Sequence, residues 1–147
     1  MNGCVVVDAS LAVKWVLKEP YADEALALAG EWAAAGIDLV APGLLFVEAT
    51  NVLHRRAMLG HISLSEAGRL LNGLLSLGIQ IRESPQIHVR AMELAHVLAR
   101  PAVYDTHYLA LADLMECELW TADERFFNSV RGRHPRVRWL GEYSAGR

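Results

Sequence analysis

The chain has 147 residues, 53% of them hydrophobic and 21% charged, and a formal net charge of −3. That balance fits one compact globular domain with a sizeable core, and it excludes a disordered protein or one that gathers polyanions by its mean field. Any contact with nucleic acid must come from a local basic patch or a bound cation.

No basic-then-apolar leader follows Met1, and no apolar run is long enough to span a bilayer. A soluble, cytoplasmic protein is therefore the expectation. Cys4 and Cys117 lie in or beside apolar runs and are not closely spaced, as expected of buried thiols in a reducing compartment. The six histidines lack zinc-finger or His-Glu-x-x-His spacing and read as ordinary surface or core residues.

The first element is Val5-Val6-Val7, a β-branched run that stops on Asp8. Helical spacing follows at once through Leu11, Ala12, Trp15 and Val16, with Lys14 and Lys18 outward, until Glu19-Pro20. This predicts a buried parallel strand with Asp8 at its carboxyl end, the edge where open α/β sheets bind ligands. The plainer reading is that Asp8 or Ser10 caps the next helix. An alanine-rich helix over 21–35 is stopped by Gly36, and a short strand over 37–40 is closed by Ala41-Pro42.

Pro42 opens a long helix over 42–59 that leaves at Gly60. Leu44, Leu45, Val47, Val52 and Leu53 form its apolar stripe, and Glu48 and Asn51 share a face beside it. Ser63 and Glu66 make a capping-box pattern for a helix running to Leu77-Gly78. A strand over 79–82 ends at Ser84-Pro85. A helix over 86–100 follows, with Val89, Met92, Leu94, Ala95 and Leu98 inward, and Pro101 breaks it. A helix over 104–116 has Asp105 in its first turn. A strand over 118–121, a short helix over 124–130 and an edge strand over 137–140 complete the order, and the tail over 141–147 is expected to fray. Alternating strands and helices predict a three-layer α/β/α fold around a mainly parallel sheet, with the helical pair between 40 and 79 forming an arm that could dimerise.

Asp8 and Asp123 each follow a strand, Asp105 begins a helix, and Glu48 lies on a helix that must pack on the sheet. All four are therefore expected at one sheet edge, where they would repel unless a cation sat among them. An all-carboxylate oxygen set favours Mg²⁺, or Mn²⁺, over zinc. Each member also has a plain role: Asp105 and Asp123 as charges at helix N-termini, Glu48 and Asn51 as solvated surface residues, Thr121 as a strand residue.

The run from Val6 to Glu19 resembles the opening of PIN-domain proteins, especially VapC-type toxins of toxin–antitoxin pairs. Residues 42–51, 104–112 and 121–126 resemble that family's second, third and fourth motifs in order. The resemblance implies a PIN-like single domain and a metal-dependent endoribonuclease, usually dimeric and inhibited by a cognate VapB-like antitoxin. It implies that Asp8, Glu48, Asp105 and Asp123 form the acidic site, with Asp8, Asp105 and Asp123 as metal ligands. Ser10, Asn51 and Thr121 would orient carboxylates or the metal's water. Candidate cationic contacts to RNA are Lys14, Arg55, Arg131 and Arg133, all of which also read as solvated surface charges. Two other classes compete. An Asp-based phosphoryl-transfer enzyme would use Asp8 as nucleophile, but the second Asp that pattern needs is Ser10 here. A non-catalytic interaction module would keep the fold and lack metal dependence.

Overall fold

A computed structural model describes residues 3–144. Its five strands are β1 Cys4–Val7, β2 Asp38–Ala41, β3 Gln80–Ile81, β4 Leu119–Thr121 and β5 Val137–Trp139. They form one sheet in the order β3-β2-β1-β4-β5, parallel throughout. Among the described residues seven α-helices connect them: α1 Ala9–Ala12, α2 Ala22–Ala35, α3 Leu44–Met58, α4 Leu64–Leu75, α5 Pro85–Val97, α6 Tyr104–Met115 and α7 Glu124–Val130. This is the α/β architecture that the alternation of strands and helices predicts.

β1 is central because its side chains need cover on both sides. Val5, Val6 and Val7 are all buried, and successive strand residues point to opposite faces, so helices cover the sheet on both. Val5 stands opposite Leu39 of β2, and Val7 opposite Trp120 of β4. The two-residue β3 and three-residue β5 take the edges, where a short strand offers little to a foreign chain. Cys4 and Cys117 are free thiols, both half-buried. No helix among the described residues is long and apolar enough to cross a membrane.

Local signals act where the sequence puts them. Gly36 ends α2 in the left-handed region at φ 70, and Ser63 starts α4 by accepting the Glu66 N–H at 3.0 Å. Three expectations need correction. The helix after Asp8 is shorter than its apolar spacing suggests: α1 ends at Ala12 and tightens into a 3₁₀ turn over Val13–Trp15. Leu94, Ala95 and Leu98 are buried as expected, but Val89 and Met92 are exposed, and Ile87 and Ala91 are buried in their place. α5 packs chiefly on α6, where the small Ala91 and Ala95 suit a close helix pair. The third concerns the arm: α3 buries Leu45, Ala49 and Leu53 in the core. α4 is anchored there too, through Ala67 and Leu74, and Met58, Leu59 and Leu64 are exposed where the two helices join. The chain past β5 turns through a 3₁₀ helix at Leu140–Glu142 with Leu140 buried, and residues 145–147 of the expected frayed tail lie outside the described residues.

Ser63→Ala removes the α4 cap and should lower the unfolding free energy by about 1 kcal/mol. Urea titration should show an earlier midpoint with an unchanged slope; an unchanged midpoint would mean that the cap contributes nothing.

Candidate active site

Four carboxylates from separate parts of the chain line one cavity of about 450 Å³ at the carboxyl ends of the strands. Asp8 follows β1 directly, Asp123 follows β4, Glu48 sits in the second turn of α3 after β2, and Asp105 lies in the first turn of α6. Ser10 and Asn51 line the same cavity, with Leu44, Val47, Val52, Tyr104 and Tyr108 as its less polar wall.

Asp8 is the most buried of the four, at 5% exposure. Its Oδ1 accepts the Leu11 N–H at 3.1 Å, which makes it the N-cap of α1, and the Ser10 hydroxyl at 2.6 Å. Ser10 Oγ also accepts the Ala122 N–H at 2.9 Å and lies 3.2 Å from Thr121 Oγ1. Ser10 has one hydroxyl proton, already given to Asp8, so Thr121 is the donor in that contact. Thr121 Oγ1 in turn accepts the Asp123 N–H at 3.0 Å. A chain of hydroxyls thus ties the end of β1 to the end of β4. Burial pushes the Asp8 carboxyl up to about 7 despite these bonds, and Asp105 adds repulsion.

The other three acids are each held by one oxygen. Tyr108 donates to Glu48 Oε1 at 2.5 Å, Arg100 Nη2 donates to Asp105 Oδ2 at 3.0 Å, and Asp123 Oδ1 caps α7 by accepting the Phe126 N–H at 3.1 Å. Desolvation raises Glu48 above the usual carboxylate range, opposed by the Tyr108 bond. Desolvation raises Asp105 too, with Asp123 adding to the rise and Arg100 opposing it. The phenol of Tyr108 is driven far up by its own burial and by Glu48, so it remains a donor.

This donor set fits a hard divalent ion in its chemistry. Glu48, Asp105 and Asp123 each keep one oxygen without a hydrogen bond among the described residues, and carboxylate oxygens are what Mg²⁺ and Mn²⁺ prefer. Among the described residues no group of three or more His, Cys, Asp or Glu side chains stands in an arrangement that could hold a metal ion. The site is an open acidic cavity.

The expected basic contacts are dispersed. Lys14 is not free on the surface: its Nζ donates to Glu19 at 3.1 Å and to the Pro20 carbonyl at 2.8 Å. Arg131 lies over the Phe127 ring and bonds Asn128, and Arg133 donates to the Val97 carbonyl. Arg55 is exposed two turns beyond Glu48 on α3 and makes no ion pair among the described residues. Two residues escape sequence reading, Tyr108 and Arg100. Tyr108 carries a signal, since it is three residues from Asp105 and shares its helical face. Arg100 has only its place in the loop that enters α6.

A sequence model of the PIN domain matches residues 6–136 of the chain. Among solved structures, the fold is similar to the crystal structure of PAE2754 from Pyrobaculum aerophilum, with a TM-score of 0.65, 23% identity and 90% of either chain covered. Identity at that level speaks for the fold alone. No curated protein sequence matches.

Asp8 should make stability depend on pH. Its folded carboxyl holds a proton up to about 7 against 3.8 for the ordinary group, so its contribution is full below about 4 and lost as pH rises through 7. In a chelator, the urea midpoint of the wild type should fall relative to that of Asp8→Asn between those limits, by a difference on the order of a few kcal/mol. Mg²⁺ or Mn²⁺ should restore the wild type at the upper end. Parallel curves for the two proteins would contradict this account of Asp8.

Proposed function

The chain belongs to the PIN-domain family, whose members are generally metal-dependent nucleases, and on that premise we propose that it is a divalent-metal-dependent endoribonuclease. The observation that carries this reading is the convergence of Asp8, Glu48, Asp105 and Asp123 on one cavity. Asp8, Asp105 and Asp123 would hold Mg²⁺, with Mn²⁺ as a substitute, and Glu48 would act beside them. When bound, the ion supplies Lewis-acid activation of water and neutralises charge developing on the scissile phosphate.

The chain's own groups do the positioning. The Leu11 and Phe126 N–H groups fix one oxygen each of Asp8 and Asp123, and the Ser10 and Thr121 hydroxyls keep Asp8 aligned with the β4 end. Tyr108 immobilises one oxygen of Glu48, so the other is free to take a proton from the attacking water. Asn51, on the same helical face as Glu48, adds an amide to the cavity wall. Arg55, exposed further along that helix, contacts the RNA backbone beyond the cavity.

We further assign the protein to the VapC-type toxins, acting in the cytoplasm as a homodimer under a VapB-like antitoxin. The support is apolar surface in two places. Val47, at 67% exposure, lies in the cavity wall beside Leu44 and Val52, where an apolar antitoxin segment would seat. Met58, Leu59 and Leu64 are exposed together where α3 passes into α4, the arm through which a second copy would pack.

Purified protein should cleave single-stranded RNA only with Mg²⁺ or Mn²⁺, leaving 5′-phosphate and 3′-hydroxyl ends. Asp8→Asn should reduce the rate about a hundredfold or more with its circular dichroism unchanged. A 2′-deoxy nucleotide at the cut site should still be cut. Cyclic phosphate products, or metal-independent cleavage, would overturn the mechanism, and no cleavage under any metal would favour a non-catalytic module.

A further inference from the structure

A cavity lined by four carboxylates repels the phosphates of the strand it is proposed to cut, so binding needs a cation of the protein's own near the reacting bond. Most of the arginines and lysines around the fold are committed elsewhere. Lys14 and Arg56 share Glu19, Arg90 and Arg136 share Asp113, and Arg138 pairs with Glu118. Among the described residues, Arg100 alone makes an ion pair with a carboxylate that lines the acidic cavity.

Its placement is built by the chain. Ala99 takes φ 54, a left-handed conformation that turns the backbone after α5, and Arg100 N–H closes on the Ala95 carbonyl at 2.8 Å. The side chain then reaches forward to Asp105, with its guanidinium carbon 5.6 Å from the centre of the Phe126 ring. A guanidinium resting on an aromatic face is oriented without being neutralised. Its bond to Asp105 uses one of five N–H donors in a planar fork suited to two phosphate oxygens. Asp105 is about one-third exposed, so this pair sits at the rim and exchanges readily with a better anion.

We propose that Arg100 is the phosphate-binding residue of this site, sharing Asp105 with the divalent ion and gripping a phosphate of the RNA strand beside the bond to be cut. This rests on the endoribonuclease reading above. An ion on the oxygen of Asp105 that Arg100 leaves open draws off the negative charge holding the guanidinium, so loading the ion weakens the pair and frees the fork for the substrate. The same residue then opposes metal binding and favours RNA binding, two effects of opposite sign that a purely structural arginine would not have.

The test compares Arg100→Gln and Arg100→Lys with the wild type. Calorimetry with Mn²⁺ alone should show roughly threefold to tenfold tighter binding in the Gln variant, since the ion no longer meets a guanidinium charge beside Asp105. In a Glu48→Gln background, which removes the proton acceptor and keeps the three aspartates, a fluorescent single-stranded RNA with Mn²⁺ present should bind about fivefold to tenfold more weakly when Gln replaces Arg100. The slope of log Kd against log salt should also fall by about 0.7, one phosphate contact on a single strand. If the Gln variant does not fold, the Lys variant decides: it should keep the slope and lose a smaller part of the affinity, because the charge stays and the fork goes. A wild type that binds Mn²⁺ and cuts RNA, paired with variants of unchanged metal and RNA affinity, would overturn the role of Arg100 alone. A wild type that neither binds Mn²⁺ nor cuts RNA would overturn the reading of the whole site, and this inference with it.

Discussion

Placing a carboxylate at the buried end of a central strand is the constraint the rest of this structure accommodates. Asp8 follows Val7, which is fully buried, and its charged neighbour is another acid, Asp105. Leaving it without partners would cost several kcal/mol. The chain answers with the Leu11 N–H and the Ser10 hydroxyl, and Ser10 is itself held by the Thr121 hydroxyl. Those bonds also join β1 to the loop after β4, through Ser10 and Ala122. The groups that make Asp8 tolerable therefore help close the sheet at its carboxyl edge, so fold and site depend on the same few atoms.

Helix starts extend the pattern. Asp8 and Asp123 each cap a helix, and Asp105 sits in the first turn of another, where a negative charge is favourable. The sequence poses capping and a functional site as alternatives. In the structure they coincide, because the edge at which helices begin is the edge at which the strands end. This explains why so much was legible: an apolar run broken by Asp marks strand end, helix start and cavity wall together. The capping box at Ser63, the stop at Gly36 and the shared face of Glu48 and Asn51 were readable for the same reason, since each depends on neighbours within four residues.

What escaped the sequence depends on distant neighbours. Glu19 takes Lys14 from the surface and also binds Arg56, thirty-seven positions away. Arg133 reaches the Val97 carbonyl, thirty-six positions away. No local rule anticipates the two long-range contacts, and three of the four candidate RNA contacts, Lys14, Arg131 and Arg133, have partners within the fold. The face of α5 was misjudged on similar grounds. Val89 and Met92 have more apolar surface than Ala91 and Ala95, yet the alanines are inside. Hydropathy ranks side chains one at a time, whereas close packing of α5 on α6 rewards the face that lets the two backbones approach.

The acidic cavity can moderate its own repulsion in three ways, and they differ in reach. Protonation is one: Asp8, Glu48 and Asp105 are all raised, but this relief fades as pH climbs past about 7 for Asp8 and is incompatible with a carboxylate that must accept a proton. A guanidinium is the second, and Arg100 supplies it to Asp105 only, because a planar fork on a single stem engages one carboxylate at a time. A compact divalent charge is the third, and it alone can act on several carboxylates together without carrying away a proton. The donor atoms are consistent with that order, since the acids that Arg100, Tyr108 and the Phe126 N–H hold by one oxygen each retain the other. The chain's own groups therefore quench the cavity's charge only in part, through the Arg100 pair and the raised Asp8, Glu48 and Asp105 carboxyls.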